Sequence, residues 1–367
     1  MTLGPALLAA ALGSAPTVDV YTMGQDSDLF ERFGHAAICV TRAEGTRCYN
    51  YGTTDFASPP EELGWRFLRG DAKFWVSVWP LPRMLEVYRQ HDRTVWRQRL
   101  PLSAAEARAV AARLEHDALP ANRYYRYHHF DDNCSTRVRD VIDEGTAGRL
   151  SADGRRSLAA SFRTLGKERL AGERVPLLFG DLLVGRRADQ VVDVHDGMFL
   201  PDVLRAEITR RFGVAPRVVY QRQGPAFPKD PGSNVPYFVV PGLALGALAA
   251  ALGQRRWARA LVGIALGLLA LTVWGVALVS SVRELRFNEL ALVLWPTDFA
   301  LAFLGLERAR RYARLRLIAL SLCALLSAVG ALLQPVLPII VLAGLPLFFV
   351  AFAGYPWRAS SRTDATA

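Results

Sequence analysis

Hydrophobic positions follow two different patterns along the chain, and the change falls near Tyr237. Before that point apolar residues alternate with polar ones or recur at helical spacing, which is typical of a folded domain with strands and helices. From Tyr237 onward the chain consists of long runs of Ala, Leu, Val and Gly, separated by short clusters of Arg and Pro. The pattern predicts an α+β domain over residues 18–235 and an all-α region over residues 236–356.

Five apolar runs in the second region are close to the roughly 20 residues that a helix needs to cross a bilayer. We expect them to form a transmembrane bundle, the alternative being buried helices of a soluble core. The predicted spans are Tyr237–Gly253, Ala260–Val282, Glu289–Leu306, Leu317–Leu333 and Val336–Tyr355. Arginines concentrate after the first, third and fifth spans, and positive residues favour the cytoplasmic side. This orientation places the first domain outside the cytoplasm and residues 357–367 in a cytoplasmic tail.

Polar residues interrupt the third predicted span. Asn288 and Glu289 lie at its start and Asp298 lies within it. Polar groups at membrane depth are costly and suggest function. Glu289 is expected at the outer surface, and Asp298 is expected to line a polar groove.

The N-terminus and the net charge agree with a membrane protein. Residues 1–17 contain a short apolar run followed by small residues, which is typical of a secretion signal, although no basic residue precedes the run. Arginines in the inner loops and in an outer domain that faces lipid headgroups account for the net charge of +10. The chain contains no nucleic-acid-binding motif, so we expect no nucleic-acid partner.

Within the first domain the apolar spacing predicts individual elements. Strands are predicted at Val18–Met23, Ala36–Thr41, Arg47–Tyr51 and Lys73–Val78, with the middle two joined in a hairpin through Glu44-Gly45. Helices are predicted at Pro82–His91, Ser103–Ala118, Cys134–Glu144, Ala152–Leu165 and Pro201–Phe212, and Ser103 with Glu106 forms a capping-box pattern. The segment Val214–Asn234 is rich in Pro and Gly and is interpreted as a connection to the second region.

Cys134 is the candidate nucleophile. Asp132 or Asn133 can cap the helix that follows, so the thiol is predicted to lie in the first helical turn. Unpaired backbone N–H groups, the helix dipole, and the positive charges of Arg137 and Arg139 would all favour a thiolate there.

A thiolate nucleophile needs a base and a group that orients the base. His35, at the start of a predicted strand, is the candidate base. Asn50 on the partner strand is the candidate orienting residue, since an even number of loop residues would place it on the same sheet face as His35. Asp55 is the second choice for this role.

The same residue types allow other roles. His128 and His129 with the neighbouring acids and Cys134 could be offered as a metal site, but no second ligand pair accompanies them. We expect the two histidines to shape the cleft, with His129 as a reserve base. A disulfide fits Cys39 and Cys48, which fall on one hairpin, and their pairing would leave Cys134 as a free thiol. The remaining cysteine, Cys323, lies in an apolar span and is interpreted as a small buried residue.

Six segments resemble, in the same order, the Lnb-type family of bacterial lipoprotein N-acyltransferases. They are FGHAAICV, NYGTTDF, FLRGDAKFWVSVWPL, NRYYRYHHFDDNCSTRVRD, GMFLPDVL and RFNELALVLWPTDFALAF, which together extend over most of the chain. The order of histidine before cysteine is similar to that of permuted papain-like (NlpC/P60-like) thiol acyltransferases. The resemblance implies that fold for the α+β domain.

The resemblance also implies roles. His35 would be the base and Cys134 the nucleophile, with membrane phospholipids as acyl donors, diacylated lipoproteins as acceptors, and no cofactor or metal. Arg137 and Arg139 are candidate phosphate ligands, with a structural ion pair as the alternative for each, and Asn133 and Tyr51 are interpreted as supporting residues. The implied location is the bacterial inner membrane, multi-pass, with the catalytic domain on the periplasmic side. The alternative functions are a membrane-anchored cysteine peptidase or amidase, a phospholipase-type hydrolase, and a non-enzymatic binding module.

Overall fold

A computed structural model describes residues 14–55 and 60–354, and the chain divides into two compact units. The first unit contains the residues up to Leu177 together with Arg187–Pro231 and Ser280–Val282. The second contains Leu178–Arg186, Gly232–Val279 and the residues from Arg283 onward. Most of the predicted signal-like segment and all of the predicted cytoplasmic tail lie outside the described residues.

A seven-stranded antiparallel sheet is the framework of the first unit, with the strand order β6-β4-β3-β2-β1-β5-β9. Its strands are β1 (Thr17–Met23), β2 (His35–Arg42), β3 (Gly45–Thr53), β4 (Lys73–Pro80), β5 (Val95–Arg99), β6 (Tyr124–Arg126) and β9 (Arg217–Tyr220). A separate two-stranded sheet pairs β7 (Ser157–Ser161) with β8 (Val191–Asp193). The first domain is therefore of mixed α+β class, as predicted.

Helices cover both faces of the large sheet. The helices between residues 60 and 212 are α1 (Pro60–Arg69), α2 (Leu81–Gln90), α3 (Ala104–Asp117), α4 (Cys134–Gly145), α5 (Phe162–Arg169), α6 (Arg174–Leu183), α7 (Val194–Gly197) and α8 (Pro201–Phe212), of which α6 runs on into the second unit. Apolar residues of α3, α4 and α8 pack on one face, against side chains such as Val20 and Ile38. The opposite face, which includes Ala37 and Cys39, packs against Met84 and Tyr88 of α2. Alternate residues of β1 and β2 thus enter two different cores.

The predicted hairpin is confirmed. Strand β2 pairs with β3 in a register that sets Cys39 directly opposite Cys48, and Arg42 opposite Gly45, so two residues form the turn. Cys39 and Cys48 form a disulfide across the two strands. Among the described residues, Cys134 and Cys323 are the free cysteines.

Two of the predicted segments are corrected. The helix predicted at Ala152–Leu165 is wrong, because residues 157–161 form β7 and α5 begins only at Phe162, with Ser161 as its N-cap. The segment Val214–Asn234 is not only a connection, since it contains β9, which pairs with β5. Both strands depend on partners distant in sequence, and local apolar spacing carries no information about such partners.

The second unit is helical. Its elements are α9 (Val235–Leu252), α10 (Arg256–Val279), α11 (Arg283–Arg286), α12 (Leu290–Val293), a 3₁₀ helix (Pro296–Ala302), α13 (Leu306–Ala328) and α14 (Leu337–Ala351). By length and composition, α9 with 18 residues and α10 with 24 are able to cross a membrane. Helix α14 is apolar but shorter, with 15 residues.

The third predicted span, Glu289–Leu306, is not a continuous helix. Helix α12 ends at Val293, the next two residues are extended, and a 3₁₀ helix follows. Pro296 explains the break, because proline lacks a backbone N–H and its ring forces the preceding residue, Trp295, into an extended conformation. The fourth predicted span, Leu317–Leu333, overlaps the C-terminal part of α13 and extends beyond its end at Ala328, and the first half of this helix is rich in arginine. The expected bundle of five spans is therefore not confirmed in the described part of the chain.

The polar residues of this region form ion pairs and hydrogen bonds within the helical unit. Asp298 is fully buried in an ion pair with Arg316, which is also fully buried, at 2.8 Å between Nε and Oδ1. The Tyr312 hydroxyl donates to the same carboxylate at 2.7 Å. Glu289 accepts hydrogen bonds from the backbone N–H groups of Leu333 and Gln334. Asp298 therefore does not line an open groove, since its charge is compensated inside the helical core.

Removing the disulfide should destabilise the hairpin. Replacing Cys39 and Cys48 together by Ala should lower the free energy of unfolding by about 2–3 kcal/mol, because the unfolded chain regains the freedom of the closed loop. Thermal unfolding of the purified full-length protein, with and without reductant, measures this change. Alkylation of Cys39 or Cys48 in the non-reduced protein would contradict the pairing.

Candidate active site

A small cavity of about 70 Å³ lies in the first unit and is lined by residues at the start of β2 and at the start of α4. Its polar lining consists of Glu31, His35, Arg93, Asn133 and Cys134. Five aromatic residues form much of the remaining wall, namely Phe33, Phe67, Phe74, Tyr127 and Phe199. The cavity thus joins a thiol and a histidine to an apolar surface.

The first turn of α4 is fixed by Asn133, which is the N-cap instead of Asp132. Its side-chain oxygen accepts hydrogen bonds from the backbone N–H groups of Ser135 and Thr136, at 2.9 and 3.0 Å. Its amide nitrogen donates to the carbonyl oxygens of His129 and Phe199. Asn133 therefore supports the site by holding Cys134 at the first helical position, where backbone N–H groups favour an anion.

Cys134 is a partly buried free thiol. Burial raises the pKa of this thiol above its usual value of 9.0, while the backbone N–H of Ala36, the hydroxyl and N–H of Ser135, and the charge of Arg93 pull the pKa down. Because burial is the largest of these effects, the thiol is protonated at neutral pH. The N–H of Ala36 is placed to stabilise a thiolate once it forms.

His35 begins β2, and its ring stacks on Tyr88 with 5.9 Å between ring centres. Burial, together with the charge of Arg93, lowers the pKa of His35 to about 3. The imidazole is therefore neutral at physiological pH and able to accept a proton. Its Nε2 atom is buried and has no hydrogen-bond partner among the described residues.

Asn50, and not Asp55, lies next to His35. The two-residue turn of the hairpin is even, so Asn50 shares a sheet face with His35, and its amide counteracts the lowering of the His35 pKa. Asn50 Oδ1 forms no hydrogen bond of standard geometry within the described chain, so the amide approaches the ring without a fully formed bond. Asp55 instead lines a different pocket together with Lys73 and Trp75.

Two glycines allow the close approach of these elements. Gly34 has a φ of +80°, and a Cβ atom there would lie 2.7 Å from the carbonyl oxygen of Met23. Gly52 has a φ of +89°, and a Cβ atom there would lie 3.4 Å from the Cβ of Cys134. Each position therefore requires glycine, one for the conformation of the chain before His35 and the other for the approach of α4 to β3.

The arginines that follow Cys134 are engaged elsewhere. Arg137 pairs with Asp132, at 2.7 Å between Nη2 and Oδ2, and lies over the ring of Tyr125. Arg139 pairs with Asp140 and donates to the carbonyl oxygen of His195. Neither side chain lines the cavity. Both arginines therefore form structural ion pairs, which is the alternative that the sequence offers for each.

The other supporting residues also serve the fold. The Tyr51 hydroxyl donates to Asp117 at 2.8 Å and thereby ties β3 to α3, outside the cavity. The ring of His129 packs edge-on against Phe33, at 4.2 Å between centres, and also contacts Phe199. Since Phe33 and Phe199 line the cavity, His129 shapes its wall, as expected from the sequence.

Sequence reasoning missed Arg93 and Glu31. Arg93 lies in the loop between α2 and β5, and its guanidinium donates to the Glu31 carboxylate and to the carbonyl oxygen of Gly24. Arg93 is one of 44 Lys and Arg residues, and no motif marks it. Its place in the cavity follows from the pairing of β5 with β1, which local spacing did not predict.

A free thiol at a helix N-terminus, a neutral histidine on the neighbouring strand and a nearby asparagine define an α+β domain with a candidate cysteine–histidine site. A family model described as the Lnb N-terminal periplasmic domain matches residues 11–167, a stretch that contains His35, Asn50 and Cys134. The match supports membership of the Lnb family and, with helices α9 and α10, suggests a membrane protein with a periplasmic domain. No curated protein and no solved structure matches the chain. The likeness to papain-like enzymes stays a prediction.

The resting protonation states predict a pH profile. Alkylation of Cys134 by iodoacetamide should accelerate only as the pH approaches the raised thiol pKa, above 9.0, and should show no step near pH 6.5, because the His35 pKa is about 3. Mass-spectrometric rates between pH 5 and 10, with glutathione as the reference thiol, measure the profile. A rise in the alkylation rate near neutral pH that is absent in His35→Ala would instead indicate that Cys134 and His35 form a thiolate–imidazolium pair in the free protein.

The conformation before His35 can be tested with a matched pair of glycine variants. Gly34 and Gly148 have nearly the same φ, +80° and +78°, but a Cβ atom at Gly148 would meet nothing within 4 Å. Gly148→Ala should cost about 1–2 kcal/mol through backbone strain alone, and Gly34→Ala should cost a further 1–3 kcal/mol, roughly, through the clash with Met23. Thermal unfolding of the full-length protein measures both. Equal destabilisation by Gly34→Ala and Gly148→Ala would show that the backbone around Met23 moves enough to remove the clash at Gly34.

Proposed function

We propose that this protein is a thiol acyltransferase that moves an acyl chain from a membrane phospholipid, through a thioester on Cys134, to the N-terminal amine of a diacylated lipoprotein. The observation that carries this proposal is the joint presence of a free Cys134 thiol and a neutral His35 in a cavity with an aromatic wall. The Lnb match over residues 11–167 supports the same reading.

In the first half-reaction His35 accepts the thiol proton while Cys134 Sγ attacks the ester carbonyl carbon of the phospholipid. The bond between that carbon and the glycerol oxygen breaks, and His35 returns the proton to this oxygen. The products are a lysophospholipid and an acyl-thioester on Cys134. A neutral imidazole suits this step, because a base that is already protonated could not take the thiol proton.

The tetrahedral intermediate needs donors for its oxyanion. The Tyr125 hydroxyl has no hydrogen-bond partner among the described residues, and no described hydrogen bond uses the Cys134 N–H. Each atom lies 4.0 Å from the point where a Cβ of Gly52 would sit, and this makes the two groups the candidate oxyanion donors. Loss of one oxyanion donor commonly costs about 3–4 kcal/mol of transition-state stabilisation.

In the second half-reaction the lipoprotein α-amine attacks the thioester carbonyl. His35 accepts a proton from the attacking nitrogen, the carbon–sulfur bond breaks, and the proton passes to the Cys134 sulfur, which restores the thiol. Water competes with the amine at this stage. The wall formed by Phe33, Phe67 and Phe199 favours the amine, because an apolar surface that holds the acyl chain also limits access of water.

The proposed location is the bacterial inner membrane, with the first unit on the periplasmic side. Helices α9 and α10 would provide the membrane spans, and the Cys39–Cys48 disulfide fits an oxidising compartment. Residence at the membrane would give the site direct access to both lipid substrates.

The decisive test is mass spectrometry of a lipoprotein N-terminal peptide from a host that lacks its own N-acylation. Expression of the protein should add one amide-linked acyl chain to the peptide. Cys134→Ala and His35→Ala should each abolish this addition or reduce it by at least about 100-fold, since each removes a chemical step.

Cys323→Ala is the matched control, because Cys323 is the other free cysteine among the described residues and lies in the helical unit. This variant should keep full activity. Unchanged diacylated peptides, with wild-type protein present in the membrane, would overturn the transferase proposal. Release of free fatty acid dependent on Cys134 would then assign a hydrolase.

A further inference from the structure

Arg93 carries an unsatisfied donor in the wall of the cavity. The side chain is 1% exposed, its Nε donates to the Gly24 carbonyl oxygen at 2.9 Å, and its Nη1 pairs with Glu31. Its Nη2 is buried and has no hydrogen-bond partner in the described part of the chain. A buried charged donor left unpaired is costly, so the site favours a ligand that supplies an oxygen.

The orientation of this guanidinium is fixed. Its central carbon lies over the ring of Tyr88, 5.0 Å from the ring centre, and the His35 ring stacks on the same Tyr88. Glu31 holds Nη1 and the Gly24 carbonyl holds Nε, so Nη2 is the nitrogen of the group that has no partner among the described residues. A preorganised donor of this kind loses little conformational entropy when a ligand binds.

Within the described lining of the cavity, no other cation competes for this role. Arg93 is the only Lys or Arg among the described residues that line the cavity, and Arg137 and Arg139 are both held in ion pairs outside it. The cavity therefore combines one free thiol, one cationic side chain whose Nη2 has no partner among the described residues, and an aromatic wall. These features match, in the same order, the ester, the phosphate and the acyl chain of a glycerophospholipid, in which the ester and the phosphate are a few covalent bonds apart.

We propose that Arg93 binds a phosphodiester oxygen of the acyl donor through Nη2, and thereby selects phospholipids over neutral glycerides. This inference rests on the proposed function. Binding of the phosphate beside Cys134 would hold the ester carbonyl at the sulfur, and a charge-assisted hydrogen bond in a buried site is stronger than one exposed to water.

The test compares two donors that differ only in the phosphate-containing headgroup. Full-length protein in detergent micelles receives a phosphatidylglycerol or the diacylglycerol with the same acyl chains, and the acyl-thioester on Cys134 is followed by intact mass. Arg93→Gln should lower kcat/KM for phosphatidylglycerol by about 10- to 100-fold, the loss expected for one hydrogen bond to a charged group. The value for diacylglycerol should change less than about 3-fold, which is within the range of a surface substitution. Arg93→Lys keeps the charge, so its kcat/KM for phosphatidylglycerol should lie between the values of the wild-type protein and of Arg93→Gln.

Arg163→Gln is the matched control. Arg163 is also nearly buried and also paired with a carboxylate, that of Asp189, but it does not line the cavity. This variant should leave the preference for phosphatidylglycerol unchanged. If Arg93→Gln and Arg93→Lys each lowered kcat/KM equally for phosphatidylglycerol and for diacylglycerol, the proposal would be overturned and Arg93 would have a structural role.

A second measurement separates this inference from the proposed function. Soluble glycerophosphoglycerol should slow the alkylation of Cys134 in wild-type protein and should lose this effect in Arg93→Gln. Protection of Cys134 without thioester formation would support the phosphate site and contradict the proposed acyltransferase activity. Thioester formation without a donor preference and without protection would support the acyltransferase activity and contradict the phosphate site. Protection by inorganic phosphate alone would indicate a free-phosphate site and would overturn the assignment to a lipid.

Discussion

The pairing of β2 with β3 is the constraint on which the candidate site depends. One register sets Cys39 opposite Cys48, permits their disulfide, and brings Asn50 to the sheet face of His35. A shift of one residue would turn Asn50 to the other face and separate the cysteines. The same strand β3 carries Gly52, which lets the first turn of α4 approach closely enough to bring Cys134 to the cavity. The hairpin therefore positions the candidate base and the candidate orienting residue, and it leaves room for the helix that carries the candidate nucleophile.

Burial sets the chemistry of this site more strongly than charge does. The first turn of α4 and Arg93 both favour a thiolate, yet desolvation outweighs them and keeps the Cys134 thiol protonated. Arg93 and desolvation act in the same direction on His35 and keep it neutral. The resting pair is thus uncharged, and charge appears only when the thiol proton moves. In the proposed mechanism, an imidazolium formed beside Arg93 would be a strong acid, which suits the return of the proton to a leaving oxygen.

Much of the fold could be predicted from the sequence because its signals are local. The hairpin, the capping box at Ser103 and the helix Pro201–Phe212 each depend on neighbouring residues, and the structure contains all three. The wrong predictions have two causes, a strand partner that is distant in sequence and a proline within an apolar run. Strand β7 pairs with β8, and the apolar run Glu289–Leu306 is divided by Pro296 and held by an ion pair between Asp298 and Arg316. Hydropathy alone detects neither effect.

The residues of the candidate site also differ in whether local sequence signals could reveal them. Cys134, His35 and Asn50 could be selected because a helix start, a strand start and a hairpin place them within motifs that are short in sequence. Arg93 could not, since only the pairing of β5 with β1 brings its loop to the cavity. The sequence offers Arg137 and Arg139 as candidate phosphate ligands because they are close to Cys134 in the chain, with a structural ion pair as the alternative, and the structure pairs each with a nearby acid. Arg93 differs from these two arginines because it lines the cavity and keeps a buried donor without a partner among the described residues, and neither property can be read from its neighbours in sequence.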